Sequence, residues 1–172
     1  MSVSKIKSHA KINLALNVTG KLTKLHKIES IIAFIELHDL ITLKSTKNLK
    51  HVIRFNGKFS KNIKKNNTVQ KLFNILDEQK LLNNKKFQVK ITKNIPQKAG
   101  LGGGSMNAAS ILNFLIRKKF IKLNQKKIFK ITSLIGSDVI LGINPTSTVL
   151  RSNNTLKRFF KCPRLYTLLV KP

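Results

Sequence analysis

Four of the eight glycines in this 172-residue chain, Gly100, Gly102, Gly103 and Gly104, fall in one five-residue window. The window closes the segment Lys93-Asn-Ile-Pro-Gln-Lys-Ala-Gly-Leu-Gly-Gly-Gly-Ser105, which lies between residues alternating like a strand and residues repeating like a helix. Glycine lets backbone N–H groups approach an anion closely, and the helix that follows adds its positive end, so a phosphate is the natural guest. A purely structural glycine turn is the alternative. The well-known phosphate motifs do not account for the segment. No lysine follows the last glycine as a P-loop requires, and no acid stands about 20 residues further on to hold a ribose. Neither H-R-D nor D-F-G occurs, which removes the protein-kinase loop.

Phosphoryl transfer also needs a carboxylate to take or orient the acceptor proton and a cation to balance developing charge. The chain has six carboxylates. Asp77 and Glu78 ride a predicted helix, and Glu29, Glu36 and Asp39 belong to a long β-type run. Asp138 stands just after a helix end and before Val139-Ile-Leu. An acid at the edge of a core is the catalytic candidate by elimination, with capping or turning the chain as its alternative role. Elimination cannot pick a cation from 29 lysines.

These groups must be positioned by elements that the periodicity outlines. Ile12, Leu14, Leu16 and Val18 alternate within a strand over 5–18 that ends at Thr19-Gly20. Residues 28–43 suit one long strand or two with a bend near His38-Asp39, and 50–56 form a strand stopped by Asn56-Gly57. Val69, Leu72, Phe73, Leu76 and Leu81-Leu82 follow helical spacing behind Asn67, a suitable N-cap. Phe87, Val89 and Ile91 make another strand. Helices are predicted over 105–120, with Ala108, Ile111, Leu112, Leu115 and Ile116 inward, and over 124–135, closed by Gly136 as C-terminal cap. The tail from Thr148 holds short β-type runs, the last over 166–170. No linker, repeat or low-complexity block divides the chain. The order β-β-β-α-β-loop-α-α-β implies an α+β fold with a strand layer and a helix layer.

Composition bounds the rest. The length suffices for a real core, and no apolar run approaches the roughly 20 residues of a membrane span. The start lacks the pattern of a secretory signal, and Cys162 has no partner cysteine. A soluble, cytoplasmic protein in a reducing compartment is the expectation, with Cys162 a small inert side chain. The formal charge of +28 suggests nucleic acid, yet the basic residues are 29 Lys and only 5 Arg. Lys, Asn and Ile, whose codons are built almost wholly from A and T, make up 66 of the 172 residues. An AT-rich genome explains the lysines, and the charge then serves mainly to attract anionic substrates.

The segment Ile95-Pro-Gln-Lys-Ala-Gly-Leu-Gly-Gly-Gly-Ser-Met-Asn-Ala-Ala109 resembles the second signature of the GHMP kinases, the galactokinase, homoserine kinase and mevalonate kinase relatives. Ala10-Lys-Ile-Asn-Leu14, the His26 segment with the long β run to His38-Asp-Leu-Ile-Thr-Leu43, and Ile135-Gly-Ser-Asp-Val139 occur in the family's order. They narrow the resemblance to members that phosphorylate the 2-hydroxyl of a cytidine-diphosphate methylerythritol in non-mevalonate isoprenoid synthesis. The resemblance implies a GHMP kinase N-terminal domain, a fold shared with ribosomal protein domains, covering 1–172. Residues 161–172 would start a C-terminal domain that family members carry and that this length leaves out. It implies Lys11 and Asp138 as the catalytic pair. Pro96, Gln97, Lys98, Ala99, Gly100, Leu101, Gly102, Gly103, Gly104, Ser105 and Met106 would be the ATP phosphate loop, with Ser105 near Mg2+. Asn67 would line the nucleotide pocket, Asn13 would contact substrate, and His26 would recognise cytosine.

The chain departs from the family pattern at Met106 and Asn107, where a serine and an aspartate are usual, and at Leu25, where an aromatic is usual. Each departure weakens a contact by about 1 kcal/mol rather than abolishing it. Two other readings accompany the leading one. One is a different GHMP kinase, of mevalonate or homoserine type. The other is a basic RNA-binding module, disfavoured because most of the ten Phe occupy core-like positions rather than an exposed stacking platform.

Overall fold

The computed structural model describes residues 3–21, 26–153, 155–161 and 166–170. Leu25, Cys162 and half of 161–172 lie outside the described residues. The element order is β1 (Ser4–Lys21), β2 (His26–Thr46), β3 (Val52–Asn56), α1 (Thr68–Glu78), β4 (Lys86–Thr92), α2 (Gly103–Arg117), α3 (Gln125–Ile135), a 3-10 helix (Val139–Ile143), β5 (Ser147–Leu150) and β6 (Leu156–Phe159). The six strands share one sheet organised around β2. One edge of β2 carries β1 antiparallel, and the other carries β4 against Leu40–Thr46 and β5 against Ser30–Ile32. Strand β3 runs parallel to β4, as a crossover through α1 allows, and β6 pairs antiparallel with β5.

Helix α1 forms where the periodicity places it. The Asn67 side chain accepts hydrogen bonds from the Val69 and Gln70 amides, and Val69, Leu72, Phe73 and Leu76 are buried. They meet Ile41 and Leu43 of β2, Phe87, Val89 and Ile91 of β4, and the inward residues of α2 and α3 in one core. Beneath α1 lies His51. The Phe87 amide donates to its Nδ1 at 3.1 Å, its Nε2–H donates to Asp77 Oδ1 at 3.2 Å, and Lys86 Nζ pairs with Asp77 Oδ2 at 2.6 Å. Burial pushes the His51 imidazole below its ordinary pKa. Burial works upward on the Asp77 carboxyl, but hydrogen bonds from Lys86 and His51 outweigh it and hold that group below the usual carboxylate range.

One open alternative closes and three expectations change. Residues 28–43 lie in one unbroken strand, the first of the two readings the sequence allowed. The apolar face Leu14, Leu16 and Val18 of β1 is exposed, because the outer half of the β1–β2 hairpin runs beyond the helices. Residues 166–170 are not strand. With no strand paired to it among the described residues, the run stays irregular, and Tyr166 and Leu168 are exposed. Gly136 sits at the C-cap of α3 with φ 170°, an extended conformation open to any residue, so its cap is not the left-handed type.

Candidate active site

The pairing of β1 with β2 skips at the start of the site. His9 faces His38, but Lys11 faces Phe34, so β2 carries two extra residues there. Such an irregularity re-aims side chains. Ser8 and Ala10 point inward as alternation requires, and Lys11 is buried beside them. Its amide donates to Leu101 O at 3.1 Å, pinning the glycine loop to β1. Its Nζ reaches Asn13 Oδ1 at 3.3 Å and Asp138 Oδ2 at 3.4 Å.

Asp138 stands at the head of the 3-10 helix and makes no capping hydrogen bond with its side chain, which is 39% exposed. Its carboxylate is therefore available to a ligand. The turn behind it is clamped from β6, where the Arg158 guanidinium donates to Ile140 O at 3.0 Å, to Leu141 O at 3.2 Å and to Asn144 O. Helix α3 ends at Gly136, where an added Cβ would lie 4.0 Å from Ser105 Oγ, so Ser105 faces the side of the loop that carries Asp138.

The glycine loop forms one wall of a cavity of about 840 Å³. Pro96 through Ser105 line it, opposite residues 61–64, Asn66, Asn67 and Lys71. Gly102 is the N-cap of α2 with φ 67°, in the left-handed region, and an added Cβ there would lie 2.9 Å from Lys11 Cγ. Only glycine gives both that conformation and that passage for the lysine stem. At Gly103 an added Cβ would meet Ile95 Cγ2 at 3.0 Å and Lys93 Nζ at 3.1 Å. The first bond inside α2 runs from the Met106 amide to Gly102 O, so the N–H groups of Gly103, Gly104 and Ser105 have no partner within the helix. A helix start with free amides, lined by Lys61, Lys64, Lys71 and Lys98, suits a polyphosphate.

The structure thus brings together Lys11, Asn13, Asp138 and the loop over 96–105. Two further residues named from sequence take other parts. Met106 is 2% exposed and packs on Ile32 and Leu141, because position 106 falls on the inward face of α2, so its side chain does not line the cavity. Asn67 lines the cavity, but its amide is spent: Oδ1 caps α1, and Nδ2 donates to Lys64 O and Lys65 O. His26 is exposed and pairs with Lys21 at the far end of the hairpin. It stands eight residues along β2 from Phe34, the residue facing Lys11, or roughly 26 Å at the usual rise per residue. Sequence reasoning missed Lys93, Asn107 and Arg158. Lys93 and Asn107 both line the cavity and are buried. A lysine among 29 gives no signal, but Asp39 does, since an acid inside an apolar strand must find partners.

Comparison with known proteins gives a consistent picture. The family "GHMP kinases N terminal domain" matches residues 67–147. Over all 172 residues the chain is 59% identical to the 4-diphosphocytidyl-2-C-methyl-D-erythritol kinase of Pelagibacter ubique, covering 100% of this chain and 61% of that relative. It is 34% identical to the enzyme of the same name from Anaplasma marginale, covering 100% of this chain and 60% of the relative. The chain therefore spans about 60% of the length of these relatives. Among solved structures, a 4-(cytidine 5'-diphospho)-2C-methyl-D-erythritol kinase superposes with TM-score 0.71 at 22% identity, covering 91% of this chain and 55% of that one. The Methanococcus jannaschii mevalonate kinase superposes with TM-score 0.63 at 18% identity, covering 93% and 56%. No helix among the described residues is long and apolar enough to cross a membrane.

Proposed function

The chain carries the N-terminal domain of a GHMP kinase, and from that premise we propose that it phosphorylates the 2-hydroxyl of 4-diphosphocytidyl-2-C-methyl-D-erythritol with ATP. The observation that carries this reading is the contact of Lys11 Nζ with Asp138 Oδ2 at 3.4 Å, on a strand whose Lys11 amide is bonded to the glycine loop at Leu101. An acid and a cation thus meet beside the strand residue that is bonded to the loop, which supports a transfer step at this edge of the loop. The amides of Gly103 to Ser105 and the cavity lysines bind and orient the polyphosphate. Asp138 orients the acceptor hydroxyl and takes its proton as the oxygen attacks phosphorus. Lys11 holds that carboxylate in place and balances charge on the transferring group. Asn13 accepts a hydrogen bond from Lys11, which supports a substrate-contacting role for it beside the catalytic pair.

Magnesium prefers oxygen ligands and commonly takes several from phosphates and water. Ser105 Oγ, which lines the cavity, and the partly exposed Asp138 carboxylate, two residues beyond the Gly136 that neighbours Ser105, would be suitable donors. Among the described residues no three His, Cys, Asp or Glu side chains cluster together. When bound, magnesium neutralises phosphate charge during transfer.

The test is a coupled phosphotransfer assay on Asp138→Asn. We expect kcat to fall by about 10²–10⁴ while ATP affinity is retained. Full activity in that variant would overturn the catalytic role of Asp138. A substrate screen fixes specificity: acceptance of mevalonate or homoserine without the cytidyl substrate would reassign the enzyme within its family.

A further inference from the structure

Asp39 lies in the middle of β2 with no exposed surface, yet it faces neither solvent nor substrate. Its carboxylate gathers four donors. Oδ1 accepts the backbone N–H groups of Asn94 at 2.8 Å and Ile95 at 2.9 Å. Oδ2 accepts Asn107 Nδ2 at 2.9 Å and is ion-paired with Lys93 Nζ. These donors belong to the two ends of the glycine loop: Lys93, Asn94 and Ile95 lead into it from β4, and Asn107 is in the first turns of α2 that leave it. Lys93 Nζ also lies beneath Gly103, the first residue of α2. Two loop ends tied to one buried anion cannot spread apart without stranding a charge in the core, which is costly.

We propose that Asp39 is a positioning residue for the phosphate loop. By holding Lys93, Asn107 and the two loop amides on one carboxylate, it fixes the spacing between the strand exit and the helix start, and so the aim of the amides of Gly103 to Ser105. The inference rests on the reading of that loop as the polyphosphate site. It has an unusual consequence. Long-range electrostatics alone would have removal of a negative charge below the loop tighten anion binding. Positioning requires the opposite, because an amide at 39 keeps one acceptor for the Asn94 and Ile95 N–H groups but turns hydrogens toward Lys93 and Asn107, which are themselves donors.

The experiment compares the wild type with Asp39→Asn by titration with magnesium-ATP and by amide hydrogen exchange on the free protein. The expected result is at least about tenfold weaker ATP binding, with faster exchange confined to residues 94–105 while β4 and α1 keep their protection. Equal or tighter ATP binding by the variant, or unchanged exchange over 94–105, overturns the proposal. A merely structural carboxylate would loosen β4 and α1 in step with the loop, and that result overturns it too. If the wild type binds no ATP, the reading of the loop fails, while the exchange pattern still decides whether Asp39 orders it. If Asp39→Asn does not fold, Asn107→Ala decides in its place, since it cuts one tie and leaves the ion pair. Faster exchange at Asn94 and Ile95, which Asn107 does not bond, supports the proposal, and unchanged exchange there overturns it.

Discussion

Gly100 and Gly102 provide an internally controlled test of how the loop is coupled to Lys11, the lysine proposed for catalysis. Both adopt left-handed backbone, with φ 72° and 67°. An added Cβ at Gly100 meets nothing within 4 Å, whereas at Gly102 it lies 2.9 Å from Lys11 Cγ and 3.4 Å from Cε. Alanine at either site therefore carries the same backbone cost of about 1–2 kcal/mol, which lowers Tm by roughly 2–8 °C in a chain of this size. Only Gly102→Ala also pushes the lysine stem. Carbon contacts relax near 3.5–4.0 Å, so Cγ must retreat by roughly half an ångström to one ångström, and Nζ, three bonds further out, moves at least as far. From 3.4 Å, a shift of this size directed away from Asp138 brings the Lys11–Asp138 pair to about 4 Å or beyond, the limit of an ion pair. Misplacement on this scale costs about 10²-fold in rate. The assay is steady-state phosphotransfer with magnesium-ATP, alongside thermal melting. We expect Gly102→Ala to lose about two orders of magnitude in kcat and Gly100→Ala to stay within a few-fold, with similar losses of Tm. In a Lys11→Ala background, Gly102→Ala should cost no further activity. Equal kcat losses for the two glycine variants would refute the coupling, as would wild-type kcat in Gly102→Ala.

Other outcomes follow from the same geometry. Arg158→Ala removes the donors to Ile140, Leu141 and Asn144; it should destabilise the protein by about 1.5–3 kcal/mol in a denaturant titration and speed amide exchange over 138–143, with ATP affinity unchanged. Asn67→Ala should cost about 1 kcal/mol through the lost cap, and because the Asn67 amide is committed to the backbone, any loss of ATP affinity should track the loosening of 64–67. The His51 pKa is lowered in the folded state, so the unfolded chain binds the extra proton first. Stability should be full above the ordinary histidine pKa near 6.5 and decline as pH falls from there through the folded value. His51→Gln should flatten that part of a Tm-versus-pH curve. Asp77, also lowered in the folded state, adds a second decline only as pH falls below about 4.

Local patterns in the sequence are enough for the elements and the loop. The helical spacing of Val69, Leu72, Phe73 and Leu76, the cap at Asn67, the alternation of Phe87, Val89 and Ile91, and the glycine window before α2 all act over a few residues and reappear in the structure. Elimination among six carboxylates singled out Asp138, and the resemblance carried in four short motifs added Lys11, which no local pattern could pick from 29 lysines. The tertiary structure decided what depends on partners distant in sequence. Leu14, Leu16 and Val18 alternate like buried residues but face solvent, and 166–170 reads like a strand but pairs with none among the described residues. A two-residue skip in the β1–β2 pairing turns Lys11 inward toward an acid 127 positions later. Asp39 reads as one more residue of a strand until the fold surrounds it with Lys93, Asn107 and two loop amides. The physical reason is common to all of these: spacing along a chain sets which way a side chain points within its own element, whereas burial and pairing are properties of the other elements that reach it.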